Sequence, residues 1–291
     1  MRPAAITRWC RGLVVAFSVV LLGGCSLLSL TYERLGTIVL WRLDSWWDLD
    51  DAQRRGLAEA LQRWHAWHRR EQLPAVADAL ARWQTLAAGP VDAETVCREG
   101  AALRALLRQA SQRTIEDLAR WLPTLSDAQL THWQRRLAED DEQWRREWGD
   151  LDPDRSERFK RTRARLESFY GRLDEAQRRW LRERLLAAGD QPELAWAERQ
   201  RRQADWLDTA RRLRSLPVDA ARAEVAALWE RTWRSPDPKL AAWQERVWAQ
   251  GCAWLADWHA RATPAQRARA VAQLASYERE LRALAANGNG R

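Results

Sequence analysis

The sequence predicts an all-α protein, a multi-helix bundle or a set of stacked helical hairpins with about ten helices. Three observations carry this expectation. Only 13 Gly and 10 Pro interrupt 291 residues, so breakers are scarce. The stretches between them are rich in Ala, Leu, Arg, Glu and Gln, with apolar residues three and four apart and no convincing strand pattern. A single helix-start device also recurs along the chain. With 46% hydrophobic and 30% charged residues, collagen-like, low-complexity and largely disordered classes are excluded.

From the start of the chain, residues 1–24 carry Arg2, Arg8 and Arg11, then an apolar run from Leu13 to Leu22 and the small residues Gly23 and Gly24. A basic start, an apolar stretch too short to span a bilayer and a small-residue end make a secretory signal. Leu22-Gly23-Gly24-Cys25 resembles the lipobox of bacterial lipoproteins. That resemblance implies cleavage before Cys25 and acylation of it, and each acyl chain adds about 0.8 kcal/mol of membrane affinity per buried CH₂. Ser26 stands where lipoproteins retained in the inner membrane commonly have Asp. The sorting rule therefore implies the periplasmic face of the outer membrane of a Gram-negative bacterium. Residues 25–30 are then the lipidated Cys and tether, 31–287 a single all-α periplasmic domain, and 288–291 a disordered tail.

Three Arg and no acid leave with the signal, which lowers the net charge from +8 to +5. Interspersed charges, a modest net charge and a periplasmic address together make nucleic acid an unexpected partner. Cys10 also leaves and Cys25 is acylated, so Cys97 and Cys252 remain in an oxidising compartment, where one disulfide is the simplest outcome.

Breaks in the helical pattern fall at Pro74, Gly89-Pro90, Pro123, Gly149 to Pro153, Gly189 to Pro192, Pro217, Ser235 to Pro238 and Pro264. Apolar stripes run between them: Leu57, Leu61 and Trp64; Trp248, Cys252 and Leu255; Val271, Leu274 and Leu281. The recurring device reads Leu49-Asp50-Asp51-Ala52-Gln53, Leu125-Ser126-Asp127-Ala128-Gln129, Leu173-Asp174-Glu175-Ala176-Gln177 and, more loosely, Ala262-Thr263-Pro264-Ala265-Gln266. In each, an Asp, Ser or Thr caps the first amides and Gln sits where a capping box needs it. The uneven spacing of the copies excludes a solenoid. These motifs are similar to the L-T-x-x-Q signature of small helical periplasmic stress chaperones, although capping alone accounts for them. The segments Trp41-Arg42-Leu43-Asp44-Ser45-Trp46-Trp47-Asp48-Leu49 and Trp67-His68-Arg69-Arg70-Glu71-Gln72-Leu73-Pro74 resemble a family of uncharacterised proteobacterial lipoproteins known only as a domain of unknown function. The resemblance implies an all-α periplasmic domain and brings no catalytic residue with it.

Candidate chemistry is sparse. His65 and His68, with Glu71 a turn further on, could offer two nitrogens and a carboxylate, but a zinc site needs further ligands that no spacing supplies. Asp44, Asp48, Asp50 and Asp51 lack the Gly and ligand spacing of a calcium loop, and the last two read as cap and first-turn acids. No nucleophile elbow, P-loop or dinucleotide glycine motif occurs. No metal and no cofactor are therefore expected. The chain has 20 Trp against three Phe and three Tyr. Most, including Trp121, Trp180, Trp248 and Trp254, fall on apolar stripes and read as core. Trp46 and Trp47 point about 100° apart on a helix, so at least one is expected at the surface. The candidate binding residues are Trp41, Asp44, Trp46, Trp47, Asp48, Trp67, His68, Arg69 and Arg70. The expected function is non-enzymatic binding of an envelope protein or lipid near residues 41–74. The alternatives are an envelope enzyme acting on peptidoglycan or lipid, and a chaperone-like module.

Overall fold

The structure is a computed structural model that describes residues 26–149, 157–187 and 191–287. The signal, Cys25, the 288–291 tail and the breaks near 150–156 and 188–190 lie outside the described residues. What is described is 89% helical without a strand, in agreement with the all-α reading. In chain order the helices are α1 (Ser26–Glu33), α2 (Leu35–Trp47), α3 (Asp51–Trp67), α4 (Leu73–Ala87), α5 (Ala93–Gln112), α6 (Ile115–Trp121) and α7 (Asp127–Gly149). They continue as α8 (Glu157–Tyr170), α9 (Glu175–Ala187), α10 (Pro192–Leu213), α11 (Val218–Trp233), α12 (Pro238–Arg261) and α13 (Pro264–Asn287). With α1 and α2 joined across Arg34, and α3 joined to α4 through a π-turn at His68–Gln72, the described residues form eleven rods.

Pro74 does not break the chain as its sequence position suggests. The π-turn puts an extra residue into the hydrogen-bond ladder, and the Leu73 N–H reaches back to the His68 carbonyl. Pro74 then opens α4, where its missing N–H costs nothing. Pro123 does mark a break: α6 ends at Trp121, a 3₁₀ turn covers Leu122–Thr124, and α7 begins at Asp127.

The four recurring motifs are capping boxes. The Gln53 N–H donates to Asp50 Oδ1 at 2.8 Å and the Asp50 N–H to Gln53 Oε1 at 3.1 Å. Ser126/Gln129, Asp174/Gln177 and Thr263/Gln266 repeat this exchange. Capping is only half of their role, because the glutamines also meet in pairs. Gln53 Nε2 donates to Gln129 Oε1 at 3.2 Å while Gln129 Nε2 donates to Gln53 Oε1 at 2.6 Å. Their second N–H groups reach the Thr124 carbonyl (3.0 Å) and the Asp48 carbonyl (2.8 Å). Gln177 and Gln266 form the same closed pair at 2.7 and 2.9 Å, with Arg261 and Arg172 carbonyls in the matching places. Every amide hydrogen-bonding site is thereby satisfied, as a buried amide requires.

This equivalence extends to the architecture. Exchanging α2–α7 with α8–α13 maps the packing scheme onto itself: α2 lies on α3 and α7 as α8 lies on α9 and α13, α4 runs along α13 as α10 meets α7, and α5 packs on α12 as α11 packs on α6. Trp47, just before the left-handed Asp48 (φ 51), packs on Trp121 at 4.4 Å. Tyr170, just before the left-handed Gly171 (φ 81), packs on Trp258 at 5.5 Å. Trp121 and Trp258 each precede their motif by the same four residues. Since α4 and α10 each pack on the final helix of the other half, the halves interlock.

The Cys97–Cys252 disulfide pins α5 to α12. Gly100, one turn beyond Cys97, lets the helices close, since a Cβ there would sit 3.2 Å from the Trp248 ring. Between α10 and α11 an ionic lattice is drawn in: Arg231 grips Asp205 with two nitrogens and also reaches Glu224, while buried Glu198 accepts from Arg201, Arg202 and Gln244. Burial alone would raise the Glu198 carboxyl, but the two guanidiniums hold it below the ordinary glutamate value.

Candidate functional site

Between α2, α3 and α6, with α10 and α11 behind them, lies a cavity of about 430 Å³. Leu35, Gly36, Val39, Leu43 and Trp47 of α2 form one wall, Leu57, Ala60, Leu61 and Trp64 of α3 a second, and Leu118, Trp206 and Trp229 the remainder. Besides the indole N–H groups of its four tryptophans, His65, Thr114 and Asp117 bring polar side chains to its edge, and Asp117 is paired with Arg63 at 2.7 Å. Gly36 borders this open space: a Cβ there would meet nothing within 4 Å. Its size falls in the range of small-molecule pockets, and its walls offer hydrocarbon and indole surface.

Beside the cavity, α1 is fastened to α3 by an aromatic cluster. The buried Tyr32 ring lies 4.5 Å from the His65 ring, and the Tyr32 hydroxyl is hydrogen-bonded to His68 Nδ1 at 2.9 Å. His65 Nε2 donates to the Tyr32 carbonyl at 3.1 Å, and His68 stacks on Trp64 at 4.6 Å. Burial, with the neighbouring His65, lowers His68 to about 4. Burial and Arg69 lower His65 as well, and burial pushes the Tyr32 hydroxyl up to about 12. The cluster is therefore uncharged near neutral pH.

A second recess, of about 710 Å³, opens between α5, α11 and α12. Trp83, Trp229, Trp233, Trp243 and Trp248 line it, and the Arg104 guanidinium lies over both Trp233 (5.8 Å) and Trp248 (5.4 Å). Trp229 belongs to both spaces and divides them.

The nine candidate binding residues separate into distinct roles. Only Trp47 lines the cavity, from the core side. Trp46 is half-buried beneath Arg42, 5.3 Å from its ring, so neither member of the pair is the exposed indole expected there; Trp41 is, at 66%. Asp44 and Asp48 terminate α2: Asp44 accepts from the Leu49 N–H and pairs with Arg54, while Asp48 takes the left-handed position. Trp67 is buried, donating to Glu71 at 2.7 Å under the Arg113 guanidinium. His68 and Arg69 hold α1, the latter through Glu33 at 2.7 Å and the Tyr32 face, and Arg70 pairs with Glu71. Trp121 is core as read, whereas Trp248, read as core, lies at the rim of the second recess at 36% exposure. Among the described residues no three His, Cys, Asp or Glu side chains converge on a metal position.

Leu35, Gly36, Val39, Leu43, Leu118, Trp206 and Trp229 carry no sequence signal as site residues. Leu57, Leu61 and Trp64 do carry one, as an apolar stripe, but a stripe facing a cavity reads the same as a stripe facing a core.

A known family matches residues 45–234, from the end of α2 to the end of α11: a family of unknown function, DUF6279. No curated protein and no solved structure matches the chain.

Proposed function

The chain belongs to the family of unknown function DUF6279, and from that premise we propose that it is a non-enzymatic binder, a lipoprotein tethered by acyl chains on Cys25 to the periplasmic face of the outer membrane. The observation that carries the binding reading is the cavity behind α2, where hydrocarbon and indole walls surround about 430 Å³. Such a site gains its affinity from removing apolar surface from water, at about 25 cal/mol per Å². Its ligand is an apolar envelope molecule, or an apolar side-chain cluster of an envelope protein. The disulfide agrees with an oxidising compartment, and the resemblance of Leu22-Gly23-Gly24-Cys25 to a lipobox supports an anchor one residue before α1. The test is purification from crosslinked envelopes followed by mass spectrometry of the intact protein and its adducts. A bound lipid or a crosslinked envelope protein, together with acyl mass on Cys25, supports the reading. Recovery of the bare chain at every crosslinker dose overturns it.

One observation favours a second reading, a chaperone-like module: the capping motifs similar to L-T-x-x-Q do not act singly but close in glutamine pairs across interlocked halves. This reading requires that substoichiometric protein slow the aggregation of an unfolding client, and failure to do so removes it.

A further inference from the structure

The α1–α2 rod has two apolar faces, and the cavity uses only one. At 100° per residue, Leu35, Gly36, Val39 and Leu43 face inward, whereas Leu30, Ile38 and Trp41 fall within a quarter-turn of one another on the opposite side. These three are 52%, 46% and 66% exposed. Arg34 and Arg42 stand exposed beside them, and the one acid near the start of the face, Glu33, is bound to Arg69. Asp44 and Asp48 mark where the face ends, and Asp44 is tied to Arg54. From Leu30 to Trp41 the stripe runs about 16 Å.

We propose that this outward face of α1–α2 lies on a phospholipid surface, with Leu30, Ile38 and Trp41 immersed among the headgroups and Arg34 and Arg42 paired with phosphates. The proposal rests on the lipoprotein reading above, through the position of the anchor. The residues that precede α1 end in Cys25, so acyl chains there would hold Leu30, five residues on, within about 8 Å of the bilayer. The side chains suit that depth: an indole favours the interface, aliphatic groups favour the acyl boundary, and arginine stems bury carbon while their heads stay among anions. Other exposed apolar residues, such as Leu107 on α5 and Leu186 on α9, lie on other helices. Docked this way, α2 presents one face to lipid and the other to the cavity.

The test is the immersion depth of nitroxide labels in full-length protein produced through its own export route. The Trp41→Cys, Ile38→Cys and Leu107→Cys variants are labelled and reconstituted in vesicles of phosphatidylethanolamine and phosphatidylglycerol. Intact mass reports acylation of Cys25 separately. The expected result is that oxygen relaxes the labels at 38 and 41 more than a water-soluble nickel chelate does, with the order reversed at 107. Labels at 38 and 41 that respond like the one at 107 overturn the docking face. Acylation with exposed labels sinks the docking face alone; immersed labels without acylation support it while sinking the tether.

Discussion

At the scale of single residues, the side chains that first look chemical turn out to hold helices in place. His68 sits between Tyr32 and Trp64, and burial keeps it neutral, with its pKa lowered to about 4. In the unfolded chain the same imidazole titrates near its ordinary 6.5, so on acidification the unfolded state takes up protons first. The contribution to stability is therefore complete above about pH 6.5 and drains between there and about 4; His65 and His259, also lowered chiefly by burial, act in the same sense. Thermal unfolding should shift downward between about pH 7 and pH 5, before most carboxylates titrate, and less steeply in His68→Phe, which keeps the stack on Trp64. Parallel pH profiles for the two proteins would show that His68 is not held neutral. The identity of these residues was legible in the sequence, but their role was not. Three-residue spacing places His65 and His68 on neighbouring turns, yet only the fold brings Tyr32 against both.

At the scale of elements, the glutamine pairs are the most specific feature. Gln53 and Gln129 are buried, each satisfies the other, and each also receives an N–H from its own cap and donates to a carbonyl across the junction. Removing one leaves the other with unmet buried groups, a cost of about 1–3 kcal/mol. Removing both should cost less than the sum, with a coupling of about 1–3 kcal/mol in a Gln53→Ala/Gln129→Ala double-mutant cycle. Strict additivity in denaturant unfolding would mean that the two caps act alone. The caps themselves were readable in the sequence, since a capping box needs only residues three apart. Their pairing was not, because it joins Gln53 to Gln129 and Gln177 to Gln266 through contacts that no local spacing encodes. The Pro74 junction was misleading for a related reason: whether a proline ends a helix depends on whether the ladder before it can take an extra residue.

At the scale of the whole molecule, the interlocked halves explain why the disulfide matters. Cys97 and Cys252 join α5 of one half to α12 of the other across 155 residues of chain. A loop that long is worth about 5 kcal/mol in the chain-entropy treatment. The Cys97→Ala/Cys252→Ala variant should lose about 10 °C in melting temperature. In the intact protein neither thiol should react with an alkylating agent before reduction; alkylation of both without reductant would contradict the bridge. The all-α class and this pairing were both accessible from sequence, the first from periodicity and scarce breakers, the second from counting the cysteines that the expected signal cleavage and acylation would leave. The cavity was not accessible, because Trp206 and Trp229 reach it from helices far along the chain, and nothing local marks Gly36 as bordering an open space. The excess of tryptophan resolves in the same way. Trp47, Trp67, Trp121, Trp133 and Trp258 fill core, others line the two recesses, and among the described residues Trp41 is the one tryptophan that stands mostly in the open, on the rod next to the proposed anchor.

The central claim is that the cavity behind α2 takes an apolar ligand. Its most direct measurement is the titration of the purified protein with a fluorescent polyunsaturated fatty acid that accepts energy from nearby indoles, repeated on a Gly36→Phe variant whose ring would occupy the space that Gly36 leaves. The account predicts one saturable site in the parent protein, energy transfer from the cavity tryptophans, and loss of binding in Gly36→Phe with helicity and melting temperature retained. No saturable binding in the parent, or equal binding in a folded Gly36→Phe variant, would contradict it.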